Sequence, residues 1–180
     1  FLCCIPVFTI GASTTALYYV SFKLVRNEEG NITKQFFTAF RSNFKKATLI
    51  WLPLLGLGIL FGIDGYVLYH IRLENVFWTL CGAVLICAGV VYLIVLLNVF
   101  PLFARFENTI PATFKNALVM GLRYLFCSIL MTVVYFVIYY VIINIFTPFI
   151  VFGQGLGALI CSWLILPILE RLENNKDDVL

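Results

Sequence analysis

Long apolar runs closed by prolines or charged residues dominate this chain. Five of them, residues 6–25, 47–71, 76–100, 122–146 and 148–169, approach the length needed to cross a bilayer. A helix needs about 20 residues to cross a hydrocarbon core of about 30 Å. Lys23, Pro101 and Pro148 are among the residues that end or begin these runs. No period-2 alternation runs through them, and open strands cannot satisfy their backbone groups in lipid. The pattern predicts an all-α, polytopic transmembrane helical bundle, a single transmembrane domain over residues 1–180. The first run has two readings. In one, Phe1–Ile5 is the tail of a preceding span, Pro6–Gly11 a turn and Ala12–Val25 a returning helix, which makes six spans in the intact protein. In the other, residues 1–25 form one kinked span.

The segment 31–46 has a different pattern. Asn31 is placed to cap a helix on which Phe36, Phe37, Phe40 and Phe44 share one side and Lys34, Thr38, Arg41 and Lys45 the other. Aromatics opposite cations suit a helix lying in the headgroup layer. The segment is therefore expected as a cytoplasmic interfacial amphipathic helix. Lys34, Phe36, Phe40, Arg41, Phe44, Lys45 and, further on, Arg105 are candidates for a lipid or partner interface. A simple anchor and a docking surface are both consistent with this pattern.

Composition strengthens the membrane reading. The chain is 62% hydrophobic and 12% charged, about half the charge of an ordinary soluble domain, and its mean hydropathy is +1.02. Eleven of the 12 basic residues fall in segments 23–46, 101–123 and the tail, while Arg72 alone lies on the opposite side. This asymmetry predicts that the basic segments are cytoplasmic. The sequon Asn31-Ile32-Thr33 is then on the wrong side for glycosylation. A net charge of +3 without a basic stripe interleaved with polar contacts gives no nucleic-acid footprint.

Candidate chemistry is sparse. Asp64 is the one acid inside a predicted span, and an ionisable group in lipid suggests function. Its distance from Arg72, about 12 Å of helix rise, places it nearer the outer headgroups than the midplane, which weakens that suggestion. Gly58 with Gly62, and Gly153 with Gly157, form small-xxx-small pairs expected to pack helices. Asn98, Asn144 and Gln154 are expected to make interhelical hydrogen bonds. Arg105, Glu107 and Arg123 form a basic-acidic group near the cytoplasmic face, read either as snorkelling residues or as a contact elbow. The six cysteines, Cys3, Cys4, Cys81, Cys87, Cys127 and Cys161, contain no C-x-x-C pair, and His70 has no partner at metal-ligand spacing. No nucleophile–base pair or phosphate loop is recognisable, so neither an enzyme activity nor a cofactor is expected.

The stretch Pro6-Val7-Phe8-Thr9-Ile10-Gly11-Ala12-Ser13-Thr14-Thr15-Ala16-Leu17-Tyr18 resembles the start of the YesL-like family of bacterial integral membrane proteins. So do Lys23-Leu24-Val25-Arg26-Asn27-Glu28-Glu29-Gly30, the segment Phe36–Phe44, Phe100–Phe106 and Lys115–Leu118. The resemblance is strongest from Pro6 to Trp51 and weak in the last two spans. The family has no established biochemical function. Its members often sit beside binding-protein-dependent carbohydrate importers. The resemblance therefore implies a bacterial cytoplasmic-membrane protein with carbohydrate ABC transporter subunits as possible partners, and it assigns no catalytic residues.

Overall fold

A computed structural model of the chain describes residues 7–28, 30–70, 76–106, 109–144 and 150–174, the side chains of 150–152, 173 and 174 excepted. All regular structure among them is helical. A 3-10 turn at Val7–Thr9 leads into α1 (Ile10–Val25), and α2 (Ile32–His70), α3 (Val76–Arg105), α4 (Ile110–Arg123), α5 (Leu125–Asn144) and α6 (Ile150–Asn174) follow. Four of these, α2, α3, α5 and the Gly153–Leu172 part of α6, are long and apolar enough to cross a membrane. The chain is thus a helical membrane protein, with four such helices among the described residues rather than the five expected.

The missing fifth is α1. Its 16 residues rise about 24 Å, short of a bilayer core. It begins two residues ahead of the expected Ala12, and Phe1–Pro6 lie outside the described residues. A Schellman motif ends it. Asn27 takes the left-handed conformation at φ 54°, its N–H bonds Leu24 O, and Glu28 N–H bonds Lys23 O.

Three further expectations are corrected. The segment 31–46 is not a separate helix but the first turns of α2, which runs unbroken past Pro53. Asn31 does cap it, its Oδ1 accepting from Lys34 N–H at 3.3 Å. Helix α3 does not stop at Pro101 but continues to Arg105. Proline removes one backbone bond, and burial of Val99, Phe100, Leu102 and Phe103 around it offsets that loss. The run 122–146 is divided, because Tyr124 leaves helical geometry at φ −117°, ψ 49° and separates α4 from α5. Pro111 in the first turn of α4 matches the preferred place for proline.

Helix α1 lies at the centre and packs against α2, α3 and α6. Nine of its residues are buried. The run Gly11-Ala12-Ser13-Thr14-Thr15-Ala16 permits this, since small side chains let backbones approach closely. A Cβ at Gly11 would lie 2.6 Å from Trp51 Cβ and 2.7 Å from Ala47 O, so only glycine fits. Trp51 Nε1 donates to Val7 O at 2.8 Å and pins the start of α1 to α2. The first half of α2 therefore pairs with α1. The second half pairs with α3, with Tyr92 Oη donating to Leu54 O at 3.0 Å and the Phe61 and Tyr92 rings 5.4 Å apart.

Candidate functional site

Two polar centres hold the bundle interior. At the first, the Tyr18 and Tyr135 hydroxyls are 3.1 Å apart, with the fully buried Cys161 in the same core cluster as Tyr18. The three residues come from α1, α5 and α6. At the second, Asn98 Nδ2 donates to Ile94 O at 2.8 Å and to Ser128 Oγ at 2.9 Å, and Ser128 Oγ donates to Gly121 O at 3.3 Å. This joins α3, α4 and α5. Both centres lie in apolar surroundings, where an unmet hydroxyl or amide is costly. Among the described residues, two buried hydroxyl oxygens, Thr48 Oγ1 and Ser162 Oγ, have no hydrogen-bond partner. A third polar group lies at the basic ends of α1 and α6. Arg26 Nε and Nη2 donate to Glu170 Oε1 at 3.0 and 2.8 Å, and Glu28 approaches Arg26 and Lys23 at 3.8 and 3.9 Å.

The sequence pointed to Asn98 as an interhelical bond, and it makes one. Gln154 accepts from Tyr139 Oη of α5 at 3.4 Å, whereas Asn144 donates to Tyr140 O within its own helix. The Tyr18–Tyr135–Cys161 centre was missed. Its phenols stand 117 residues apart, and apolar periodicity says nothing about which lipid-length helices become neighbours. The run of hydroxyl residues on α1 was the one local signal that this helix is interior.

The predicted interface residues separate into two sets. Lys34, Arg41 and Lys45 are exposed. Phe40 and Phe44 pack against the core, with rings 5.5 Å apart, and Phe36 stacks on Phe40 at 6.3 Å. Most of the aromatic side expected to face headgroups therefore faces protein. Phe37 alone of the four is strongly exposed, at 54%. Arg105 is half-buried at the end of α3. Arg123 ends α4 beside the Tyr124 ring, at the far end of that helix from Arg105, and Glu107 lies outside the described residues. The expected three-residue group is thus not assembled from its described members.

Asp64 is half-buried in the second half of α2. Among the described residues it has no hydrogen bond or ion pair. Gly153 and Gly157 do pack helices, since a Cβ there would meet Ile142 at 2.9 Å and Tyr135 at 3.0 Å. Gly58 sits under the Tyr92 hydroxyl, 2.7 Å from where its Cβ would be, while Gly62 has nothing within 4 Å. Among the described residues nothing therefore packs on Gly62, although it shares a helix face with Gly58. Among the described residues no group of three or more His, Cys, Asp or Glu could hold a metal ion. His70 Nδ1 lies 3.0 Å from Tyr66 O of its own helix.

The model of a protein family described as a protein of unknown function, DUF624, matches residues 1–65. The match includes α1 and α2 up to Gly65, overlapping the stretch that carries the sequence resemblance. No curated protein and no solved structure matches the chain.

Proposed function

We propose that this chain is a non-enzymatic accessory protein of the bacterial cytoplasmic membrane, associated with ATP-driven carbohydrate uptake. The observation that carries this reading is the resemblance to the YesL-like family over Pro6–Trp51. The described polar interior is consistent with it. Tyr18 with Tyr135, and Asn98 with Ser128, engage one another across helices, as groups that hold a bundle together do. A mild-detergent pull-down of the tagged full-length protein from its host, read by mass spectrometry, tests the proposal. Co-purification of importer permease or ATPase subunits is expected. Recovery of the protein alone, with oligosaccharide uptake unchanged on gene deletion, contradicts it.

A second reading, a small ion- or proton-coupled transporter, rests on Asp64. A half-buried carboxyl on an apolar helix, with no described partner, is a costly feature to retain without use. This reading requires that Asp64→Asn abolish a coupled flux in liposomes, and an unaffected variant removes it.

A further inference from the structure

The basic residues of α1 and α2 are handled in opposite ways. Lys23 of α1 and Arg26 just past its end face Glu28, and Arg26 also binds Glu170. Lys34, Arg41, Lys45 and Lys46 of α2 are all exposed, and among the described residues none of them has an acidic partner. Three of the four share one face of the helix, since Lys34, Arg41 and Lys45 recur at helical spacing. The opposite face carries Ala39, Ala47 and Ile50, which are buried. The cationic face is therefore the open one.

Continued along the same unbroken helix, that face carries Leu49, Leu52, Ile59 and Ile63, exposed at 55, 48, 57 and 59%. It changes from cationic to apolar within one turn, between Lys45 and Leu49. An exposed apolar stripe on a helix long enough to cross a membrane has hydrocarbon as its solvent. Cations bordering such a stripe lie where lipid phosphates lie. The rise per residue then separates the four. Lys46 and Lys45 precede Leu49 by about 5 and 6 Å, Arg41 by about 12 Å and Lys34 by about 22 Å. The headgroup layer on each side of the core is about 5–8 Å deep. Lys45 and Lys46 fall within it, Arg41 reaches its edge, and Lys34 stands beyond it.

We infer that Arg41 and Lys45 on one face, with Lys46 at the same depth about 100° further round the helix, bind the phosphates of anionic lipids in the leaflet next to the first half of α2. The site does not depend on the accessory role proposed above. It also differs from a helix lying flat in the interface, because Phe40 and Phe44 are taken up by the protein core while Arg41 and Lys45 stay exposed.

The test is native mass spectrometry of the full chain, released from bilayers mixing anionic phosphatidylglycerol with zwitterionic phosphatidylcholine. Retained lipid is compared with the bulk ratio. The wild type retains phosphatidylglycerol preferentially, and R41Q/K45Q/K46Q loses roughly fivefold preference per effective cation removed. K34Q keeps nearly all of it, and free inorganic phosphate does not compete. Far-ultraviolet circular dichroism confirms that each variant stays helical. No preference in the wild type, a triple variant that retains it, or a K34Q loss as large as the triple's would overturn the assignment. Loss of lipid preference when an acidic host protein co-purifies on these cations would do the same, by making the surface a protein-docking site.

Discussion

Helix α1 and the second half of α2 each carry a single charged residue, Lys23 and Asp64, yet their surroundings are opposite. Nine residues of α1 are buried, and Ala12, Thr15 and Ala16 have no exposed surface at all. Beyond Leu54 no residue of α2 is buried, and on the facing helix none is buried before Ile94. The difference follows from side-chain size. Six consecutive small residues in α1 let three neighbouring helices close on it, and backbone contact and hydroxyl bonds then hold them. In the α2–α3 arm, Leu, Ile, Val, Phe and Tyr cover the outside and no third helix is enclosed. Without a hydrophobic drive between helices in lipid, close approach decides which segments associate.

Paired substitutions break or sharpen this contrast. The largest difference is expected between Gly11→Ala and Gly62→Ala. The first forces a Cβ against the backbone oxygen of Ala47 and should cost about 2–3 kcal/mol. The second meets open space and should be neutral or stabilising by up to about 1 kcal/mol. Thermal unfolding in detergent, followed by circular dichroism, reads both. Next come Ile50→Ala and Ile59→Ala, the same change on one helix. Ile50 is fully buried and Ile59 is 57% exposed. About 2 kcal/mol is expected for the first and less than roughly 0.5 for the second.

Polar pairs give a smaller contrast of the same kind. Asn98→Ala strips Ser128 of a partner in the body and should cost about 1–2 kcal/mol. Tyr92→Phe in the arm removes a bond to a helix carbonyl and should cost less than about 1 kcal/mol. The smallest effect is expected at Arg26 and Glu170. Their side chains are 26 and 44% exposed, so a double-mutant cycle with Arg26→Gln and Glu170→Gln should return no more than about 1 kcal/mol.

Local chemistry made part of this fold readable. Asn31 signals a helix start through its own side chain, and Val76 follows a charged stretch and opens a run whose apolar residues need no particular face in lipid. Pro101 misled because a proline predicts a helix end, while burial of the flanking Phe100 and Leu102 depends on distant helices. The break at Tyr124 falls directly after Arg123, two residues inside the run expected to begin at Leu122. Asn98 was recognisable as a polar group needing a partner. Its partner, Ser128, and the meeting of Tyr18 with Tyr135 arise from helix neighbours that no local pattern specifies. The cationic face of α2 was visible in its spacing, but the loss of Phe40 and Phe44 to the core required knowing that α1 folds back onto that segment.

The division between a protein-enclosed α1 and a lipid-sheathed arm is tested most directly by photolabelling the reconstituted protein. Acyl chains carrying a carbene-generating group are used, and adducts are mapped by mass spectrometry. Adducts are predicted on Leu57–Ile63 of α2 and Val84–Val91 of α3, with Gly11–Phe22 of α1 unlabelled. Labelling spread along α1, or an arm left unlabelled, would contradict the account.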